Sequence, residues 1–207
     1  VLSAMAGETN RLQDYLDNFG SQNSIESDLV LTSGEQVTIG LLSLALKNSG
    51  IKSIPLLGWQ IPIITDDNHE KAKILHIDNK RIKNYFKIND VIVLAGFQGI
   101  SLDGKITSLG RGGSDTTAVA IASSVDAERC DIYTDVDGVY TTDPNIDENA
   151  KKISKMSYEE MLEMSSTGAK VLHTRSVELA MKNNLTLQVL SSLTKERGTF
   201  IVDEKEL

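Results

Sequence analysis

The sequence predicts an α/β protein with a mostly parallel β-sheet, and three observations support this class. Apolar runs typical of strands alternate along the chain with amphipathic stretches typical of helices. The segment DVIVLAGFQGI, residues 90–100, is apolar almost throughout, as expected of a strand buried on both faces of a parallel sheet. Loops rich in glycine and aspartate follow predicted strands, and open α/β sheets bind ligands beyond the carboxyl ends of their strands.

The first third of the chain predicts two helices and two strands. Residues 8–19 predict a helix because apolar side chains recur there at helical spacing, namely Leu12, Tyr15, Leu16 and Phe19. The polar residues 20–27 predict a loop. A second helix is expected to begin with Ser33 as its N-cap and to stop at Gly50. The short apolar runs that follow, residues 51–58 and 61–65, predict strands.

The middle of the chain continues the alternation. A short amphipathic helix is expected over residues 77–86, before the buried strand. Residues 103–109 resemble one half of a hairpin, because their Asp103-Gly104 pair is a strong turn signal. A helix is then expected over residues 115–124.

The last third of the chain predicts three strands around a helical segment. The strands are expected at residues 129–136, 185–192 and 198–202, and residues 157–184 predict one or two helices between them. We therefore expect one domain over residues 1–202, with the acidic residues 203–207 forming a linker.

The composition is that of an ordinary soluble globular protein. Of 207 residues, 40% are hydrophobic and 24% are charged, and the net charge of −8 argues against a general nucleic-acid surface. No run approaches the roughly 18 uninterrupted apolar residues that span a bilayer, so no membrane segment is expected. Cys130 is the single cysteine, which excludes internal disulfides and fits the cytoplasm. Metal-ligand spacing is absent among the histidines, so no protein-held metal site is predicted; they are His69, His76 and His173.

The segment SLGRGGSDTTAVAIA, residues 108–122, is the first candidate for a binding site. Its glycines permit close backbone approach, and Ser114 or Asp115 can cap the helix that follows. Backbone N–H groups at a helix start favour an anion, and Arg111 adds a planar group suited to a carboxylate or phosphate. The alternative is a glycine-rich turn with a good helix cap, although such a turn needs neither the arginine nor the aspartate.

The segment YTDVDGVYTTDPN, residues 133–145 and here called the acidic loop, is the second candidate. Asp135 and Asp137 do not follow the spacing of a calcium-binding EF-hand. Tyr140 could stack on a flat ring, and backbone groups around Thr134 could hydrogen-bond that ring. The alternative is a turn-rich connection with no ligand, and this segment alone favours that alternative.

Two isolated charges complete the candidates. Glu35 lies at a predicted helix start, where the helix dipole alone favours an acidic residue. Lys170 follows Gly168 near another predicted helix start, where a lysine opposes the dipole. A solvated surface lysine is the alternative.

Taken together, these segments resemble the aspartokinases of the amino acid kinase superfamily over nearly the whole chain. The resemblance rests on the order and spacing of LGRGGSDTTA and TDVDGVYTTDP, and it extends to four further segments: SAMAGETN, LTSGEQV, VLAGFQGI and SYEEMLEMSSTGAKVLHTRSVELA. It implies a three-layer α/β/α fold and a homo-oligomer. It also implies phosphorylation of the L-aspartate β-carboxylate by ATP with Mg²⁺, the first step toward lysine, threonine and methionine.

The resemblance also implies roles for individual residues on the aspartate side. Arg111 is expected to clamp a carboxylate of aspartate, and Glu35 to hold its ammonium group with help from Thr9. Asp115 is expected to organise lysines around the transferring phosphoryl group. The remaining expected substrate contacts are Gly112, Gly113 and Ser114.

On the nucleotide side, the resemblance implies that the acidic loop and a later segment hold ATP. Lys170 is expected to contact the phosphates. The full set of expected nucleotide contacts is Thr134, Asp135, Tyr140, Asp143, Pro144, Asn145, Lys170 and Val171.

Three departures from the aspartokinase pattern qualify these expectations. The family's first-strand motif K-F-G-G-T-S does not precede Val1, so we expect this stretch alone to be inactive or weakly active. The family's regulatory ACT domains would follow Leu207, and Asn145 stands where relatives usually carry arginine. Two alternative functions stay open. The chain could be a non-catalytic binding module on the same fold, or a kinase acting on glutamate or acetylglutamate.

Overall fold

The structure, a computed structural model, describes residues 1–20, 23–144, 146–168 and 171–207. It confirms the predicted α/β class, because helices alternate with short strands along most of the chain. The chain divides into two compact units, Val1–Thr117 and Ala118–Leu207, and each has its own strands and its own buried apolar core.

The first unit contains four complete helices and six strands among its described residues. Its helices are α1 (Glu8–Asp17), α2 (Ile25–Leu31), α3 (Ser33–Asn48) and α4 (Asn79–Phe86). Its strands are β1 (Ser53–Leu56), β2 (Ile63–Thr65), β3 (Ile74–Ile77), β4 (Val91–Leu94), β5 (Gln98–Ser101) and β6 (Ile106–Ser108). A further helix, α5 (Gly113–Ser124), begins at the end of this unit.

The strands of the first unit form two sheets. Strands β1 and β4 pair in parallel, and an isolated parallel bridge from Leu2 to Ala95 extends their edge. The other sheet has the order β3-β2-β5-β6, in which only the central β2–β5 pair is parallel. The predicted Asp103-Gly104 turn joins β5 to β6, and Gly104 takes the positive φ of 83° that such a turn requires.

The apolar run at residues 90–100 is not one strand, as the sequence predicts, but two. Strand β4 ends at Leu94, and β5 begins at Gln98 in the other sheet. Between them, Phe97 has a φ of 67°, a value that a bulky residue rarely adopts. Hydrophobicity could not reveal this break, because the segment is mostly buried on both sides of it.

The region before β1 also differs from the prediction. Residues 20–27 were expected to be a loop, but Ser24 caps α2 by accepting from the Ser27 N–H at 3.1 Å. Ser33 is not an N-cap, because it lies inside the first turn of α3 and its hydroxyl donates to Val30 O. The expected stop near Gly50 is correct, since α3 ends at Asn48 and Gly50 has a φ of 80°.

Together α2 and α3 form a stretch, Ile25–Asn48, that is long and apolar enough to cross a membrane by length and composition alone. Core helices of soluble proteins pass the same test. Two of its acidic residues are buried by contacts with the rest of the first unit: Asp28 binds His69 and Ser108, and Glu35 binds Ala4. These contacts indicate that α2 and α3 pack within the first unit, as core helices do.

The second unit contains the rest of α5, six strands and two further helices among its described residues. The strands are β7 (Cys130–Thr134), β8 (Val139–Tyr140), β9 (Lys152–Ile153), β10 (Lys155–Ser157), β11 (Leu187–Ser191) and β12 (Thr199–Val202). The helices are α6 (Tyr158–Ser166) and α7 (Thr174–Lys182). The segment expected to be a linker contains a short 3₁₀ turn, Glu204–Glu206, whose Glu206 carbonyl accepts from the Lys155 ammonium.

The main sheet of the second unit has the order β10-β12-β11-β7. Strand β7 pairs in parallel with β11, so the acidic loop leaves the carboxyl end of a strand, as predicted. Helix α6 begins with a capping box, in which Ser157 and Glu160 each satisfy the other's backbone N–H. Several side chains in the apolar core of this unit are completely buried, at 0% exposure: Val119, Met161, Val177, Leu187, Val189 and Ile201.

Candidate active site

The first candidate region, in the first unit, is a tight turn between β6 and α5, here called the arginine turn and comprising residues 109–113. Leu109 is buried at its start and its N–H donates to Phe97 O at 2.9 Å. Within the turn, the Gly113 N–H donates to Gly110 O at 2.9 Å. Gly110 and Gly112 have φ values of 71° and 67°, which L side chains rarely adopt. This backbone path presents Arg111 at the surface, where its side chain is exposed.

Close contacts with other parts of the protein explain why two of the three positions in this turn are glycine. A Cβ at Gly110 would lie 2.5 Å from Glu70 O, and a Cβ at Gly113 would lie 2.8 Å from the Phe97 ring. The interpretation that these glycines let a ligand approach stays a prediction. The glycines first of all allow the turn itself to pack closely.

Helix α5 begins at Gly113, two residues earlier than predicted, so Ser114 and Asp115 lie in its first turn and do not cap it. Ser114 contacts Gly96 closely, because a Cβ built at Gly96 would lie 2.9 Å from the serine Oγ. Burial raises the pKa of Asp115 above its usual range. A partly desolvated carboxylate of this kind is stabilised by a nearby cation.

Glu35 is a deeply buried acidic residue of the first unit, only 2% exposed. One oxygen, Oε1, accepts from the Ala4 N–H at 3.0 Å, whereas Oε2 is buried and has no hydrogen-bond partner. Burial raises the pKa of Glu35 to about 7, although the bonds to backbone N–H groups partly oppose the shift. The helix dipole alone could explain Glu35 in the sequence, whereas the aspartokinase resemblance assigned it the substrate ammonium. The buried Oε2 without a partner is compatible with that assignment, which stays a prediction.

Thr9 lies on α1, which packs directly against the start of α3. A Cβ built at Gly34, the residue before Glu35, would lie 2.8 Å from Ala4 and 3.4 Å from Glu8. The fold therefore brings the first turn of α1, which carries Thr9, close to the first turn of α3, which carries Glu35. Thr9 itself is exposed.

Phe97 and Gln98 link the Glu35 region to the arginine turn, and sequence reasoning assigned them no role. The Gln98 side chain donates to Thr32 O at 3.2 Å, just before α3 begins. The Phe97 N–H donates to Thr117 Oγ1 on α5 at 3.1 Å, and Phe97 O accepts from Leu109. Bulky residues with positive φ concentrate at functional sites, but this signal becomes visible only once the backbone is known.

A second candidate region lies in the second unit, at the end of β7. Thr134 O accepts from both the backbone N–H and the hydroxyl of Ser192, at 2.8 and 3.0 Å. The Thr134 hydroxyl donates to Asp135, whose side chain is exposed. The loop start is therefore fixed while its polar side chains remain accessible.

Tyr140 is held by charged neighbours. Its hydroxyl donates to Asp137 at 3.0 Å, and the Lys152 ammonium binds both Asp137, at 2.7 Å, and Glu196, at 2.9 Å. The hydrogen bond from Lys152 lowers the pKa of Asp137, and burial followed by the Asp137 contact raises the pKa of Tyr140. These contacts restrict the tilt of the ring, which is half-buried.

The other predicted nucleotide contacts that the structure describes are Asp143, Pro144 and Val171. Asp143 and Pro144 are exposed, and Asp143 O accepts from the Ile146 N–H at 3.0 Å. Val171 is partly buried and packs against the core of the second unit. Asn145 and Lys170 lie outside the described residues. In the part of the chain that the structure describes, no group of three or more His, Cys, Asp or Glu side chains could hold a metal ion.

Comparison with known proteins decides the family. The model of the "Amino acid kinase family" matches residues 1–191. The chain belongs to the amino acid kinase family. Among curated relatives, an aspartate kinase from Pseudomonas putida is 51% identical over 208 residues, covering 100% of this chain and 51% of the relative. The chain thus spans about half the length of the curated relatives it matches.

Solved structures agree with this amino acid kinase assignment. The aspartate kinase from Synechocystis aligns with a TM-score of 0.86 and 41% identity, covering 98% of this chain and 33% of that one. E. coli aspartokinase III, solved in complex with aspartate and ADP, aligns with a TM-score of 0.80 and 28% identity, covering 94% of this chain and 44% of that one. The chain is therefore similar to aspartate kinases in sequence and in fold.

Proposed function

We propose that this chain forms most of the catalytic domain of an aspartate kinase, a longer protein that transfers a phosphoryl group from ATP to the β-carboxylate of L-aspartate. The observation that carries the proposal is the pairing, within one unit, of an exposed arginine on a tight glycine turn with a buried glutamate whose Oε2 has no partner. An amino acid offers the matching charges, a carboxylate and an ammonium group. The 51% identity to an aspartate kinase supports aspartate as that amino acid.

On the acceptor side, the guanidinium of Arg111 binds a carboxylate of aspartate in a bidentate ion pair, with two parallel N–H···O bonds. The free Oε2 of Glu35 accepts from the substrate ammonium, with the Thr9 hydroxyl beside it. Binding of this cation favours the ionised form of Glu35 and so lowers its raised pKa. Contacts from the arginine turn and the first turn of α5 complete the acceptor site, through Gly112, Gly113 and Ser114.

On the donor side, the acidic loop holds the nucleotide through Thr134, Asp135 and the ring of Tyr140. Lys170 contacts the phosphates. Further contacts are assigned to Asp143, Pro144, Asn145 and Val171. This part of the proposal rests on the aspartokinase pattern of the sequence and on the accessible polar groups at the end of β7.

The transfer requires no general base. The β-carboxylate of aspartate has an ordinary pKa near 3.9, so it is already ionised at neutral pH. One of its oxygens forms a bond to the γ-phosphorus, the bond from that phosphorus to the bridging oxygen breaks, and ADP leaves with the electron pair. The protein aligns two anions and neutralises the charge that they share.

Magnesium fits this arrangement without a dedicated protein cage. Mg²⁺ in kinase sites is held by substrate phosphates with only one or two carboxylates. Asp115, whose pKa burial raises, is the carboxylate that we place beside it. When bound, the ion neutralises the phosphate oxygens.

The cellular location, the oligomeric state and the domain bounds of the protein are also part of the proposal. A single buried cysteine is compatible with the reducing cytoplasm, where we place the enzyme. The aspartokinase resemblance of the sequence is the support for a homo-oligomer. We propose residues 1–202 as the kinase domain and residues 203–207 as the connection to a following domain.

The proposal is tested with the full-length protein, ATP, Mg²⁺ and hydroxylamine, which converts an acyl phosphate into a coloured hydroxamate. We expect hydroxamate with L-aspartate and none above background with glutamate or acetylglutamate. A preference for either of the latter would identify another acceptor, and no product with any of the three would favour a non-catalytic binding module.

The role of Arg111 is tested in the same assay with Arg111→Ala and a matched control, Arg129→Ala. Arg129 is also a surface arginine, and its guanidinium donates to the nearby Asp131. Losing a charge-assisted pair to the substrate should lower kcat/KM for aspartate about 100-fold in Arg111→Ala. The control should stay within about twofold of the wild type, because exposed ion pairs contribute little. Equal values in the two variants would contradict the role of Arg111.

A further inference from the structure

A buried polar cluster in the first unit adjoins the arginine turn but shares no residue with the proposed substrate contacts. We call it the Asp28 cluster; its members are Asp28, His69, Glu70 and Ser108. Asp28 lies on α2 and is 0% exposed. Its Oδ1 accepts from the Ser108 hydroxyl at 2.5 Å and from the Glu70 N–H at 3.0 Å, and its Oδ2 lies 2.6 Å from His69 Nδ1.

A buried carboxylate is tolerated only where hydrogen-bond donors replace the water it has lost. Asp28 has three such donors, because a carboxylate oxygen can only accept and His69 Nδ1 must then carry the proton. The donors come from distant parts of the chain, 41 to 80 residues away in sequence. The carboxylate therefore fixes a loop and a strand end to α2, which apolar packing alone would leave free to slide.

Both parts that Asp28 fixes border the arginine turn. Ser108 is the last residue of β6 and immediately precedes Leu109, where the turn begins. Its carbonyl also accepts from the Ala72 N–H at 2.9 Å, which closes the loop onto the strand. The Glu70 carbonyl is the atom that a Cβ at Gly110 would meet at 2.5 Å, so the backbone of Glu70 forms the wall against which the turn packs.

We infer that Asp28 is a positioning residue for the acceptor site: by holding Ser108 and Glu70 together, it sets the orientation of the arginine turn and thus of Arg111. This inference rests on the proposed function for the identity of the ligand, aspartate. Asp28 itself touches no substrate. A displacement of about 1 Å in a binding group can cost a large factor in rate or affinity. Because Arg111 is the proposed contact for aspartate, loss of the Asp28 cluster is expected to change the KM for aspartate and not the KM for ATP.

The test compares two buried serines in the full-length protein. Ser108→Ala removes the hydroxyl bond to Asp28. Ser53→Ala removes two buried bonds in another part of the same unit, those of the Ser53 hydroxyl with the hydroxyl and with the carbonyl of Ser43, each at 2.9 Å. Both serines end or begin a strand and are at most 3% exposed. Ser53→Ala, which loses two buried hydrogen bonds, should lower Tm at least as much as Ser108→Ala, which loses one.

Only Ser108→Ala should change the acceptor site. We expect its KM for aspartate to rise about tenfold, the effect of one lost hydrogen bond, while its KM for ATP stays within about twofold. Ser53→Ala should leave both constants unchanged. An unchanged KM for aspartate in Ser108→Ala, or equal rises in both variants, would overturn the inference.

A second measurement does not depend on activity. Trypsin cuts after Arg111 only when the arginine turn opens, and the product is recognised by the mass of the fragment that ends there. Ser108→Ala should be cut at this bond several-fold faster than Ser53→Ala, and Asp28→Asn, which keeps one acceptor oxygen, should be cut more slowly than Asp28→Ala. Equal rates in the two serine variants would refute the positioning role, even if the wild type proved inactive on aspartate and the proposed function failed.

Discussion

Replacing Glu35 by glutamine should stabilise the protein at alkaline pH while abolishing its use of aspartate. Folding moves the carboxyl from water to a site where it is 2% exposed and where Oε2 has no partner. Burial raises its pKa from 4.5 to about 7 in the folded state. Above pH 7 the folded protein must therefore hold an ionised group in an unfavourable place, and a neutral amide removes that cost.

The magnitude follows from the shift in pKa. One pKa unit corresponds to about 1.4 kcal/mol, so a shift from 4.5 to about 7 corresponds to about 3 kcal/mol once the pH exceeds both values. Because folding raises this pKa, protonation of Glu35 stabilises the folded protein. This contribution to the free energy of unfolding is complete below pH 4.5 and is lost as the pH rises through about 7. The free energy of unfolding of Glu35→Gln, relative to wild type, should thus increase by about 2–3 kcal/mol between pH 5 and pH 8.

Urea unfolding of ligand-free wild type and Glu35→Gln at several pH values measures this difference. Comparing each protein with itself across pH cancels any constant cost of burying an amide. In the hydroxamate assay, the KM of the wild type for aspartate should fall as the pH rises through 7, because only the ionised carboxylate attracts the ammonium group. A pH-independent difference in stability between the two proteins would refute the raised pKa and the reasoning built on it.

Two other predictions concern the turns around the site. Gly110→Ala should destabilise the first unit by about 2 kcal/mol or more in urea unfolding, because its φ of 71° and the nearby Glu70 carbonyl both oppose a side chain. The control Gly40→Ala, in helix α3 with open space around it, should instead stabilise by up to about 1 kcal/mol; destabilisation of equal size in both would contradict the argument. Lys152→Met should raise the pKa of Asp137, followed by NMR titration of its carboxyl carbon, because the lysine hydrogen bond lowers that pKa. It should also raise the KM for ATP, and an unchanged Asp137 titration would rule out this ion pair in solution.

Local patterns were sufficient to predict the elements that depend on neighbours in sequence. The helical spacing of Leu12 and Leu16 identified α1, and the Asp103-Gly104 pair identified the β5–β6 hairpin, because a few adjacent residues determine each of these structures. The glycine and arginine pattern around Arg111 likewise marked a tight turn before a helix. For the same reason, the motif could be recognised in the sequence before any contact was known.

Features that depend on distant residues could not be predicted. The raised pKa of Glu35 depends on its burial in the folded unit, and the break at Phe97 depends on the pairing of β5 in another sheet. Asp28 gave no signal as a single acidic residue in a segment read partly as a loop, since its partners lie far away in sequence. Burial is a property of the assembled unit, and a short sequence window does not contain it.

The passage of the chain from β4 to β5 has a consequence for evolution. Gln98 donates to Thr32 and accepts from Gly58, and these bonds fix which face of β5 points inward. An inserted or deleted residue beside Phe97 would turn every following side chain of that strand to the opposite face. Length, more than composition, is therefore constrained here, and gaps among natural variants should collect in exposed loops and spare this crossing.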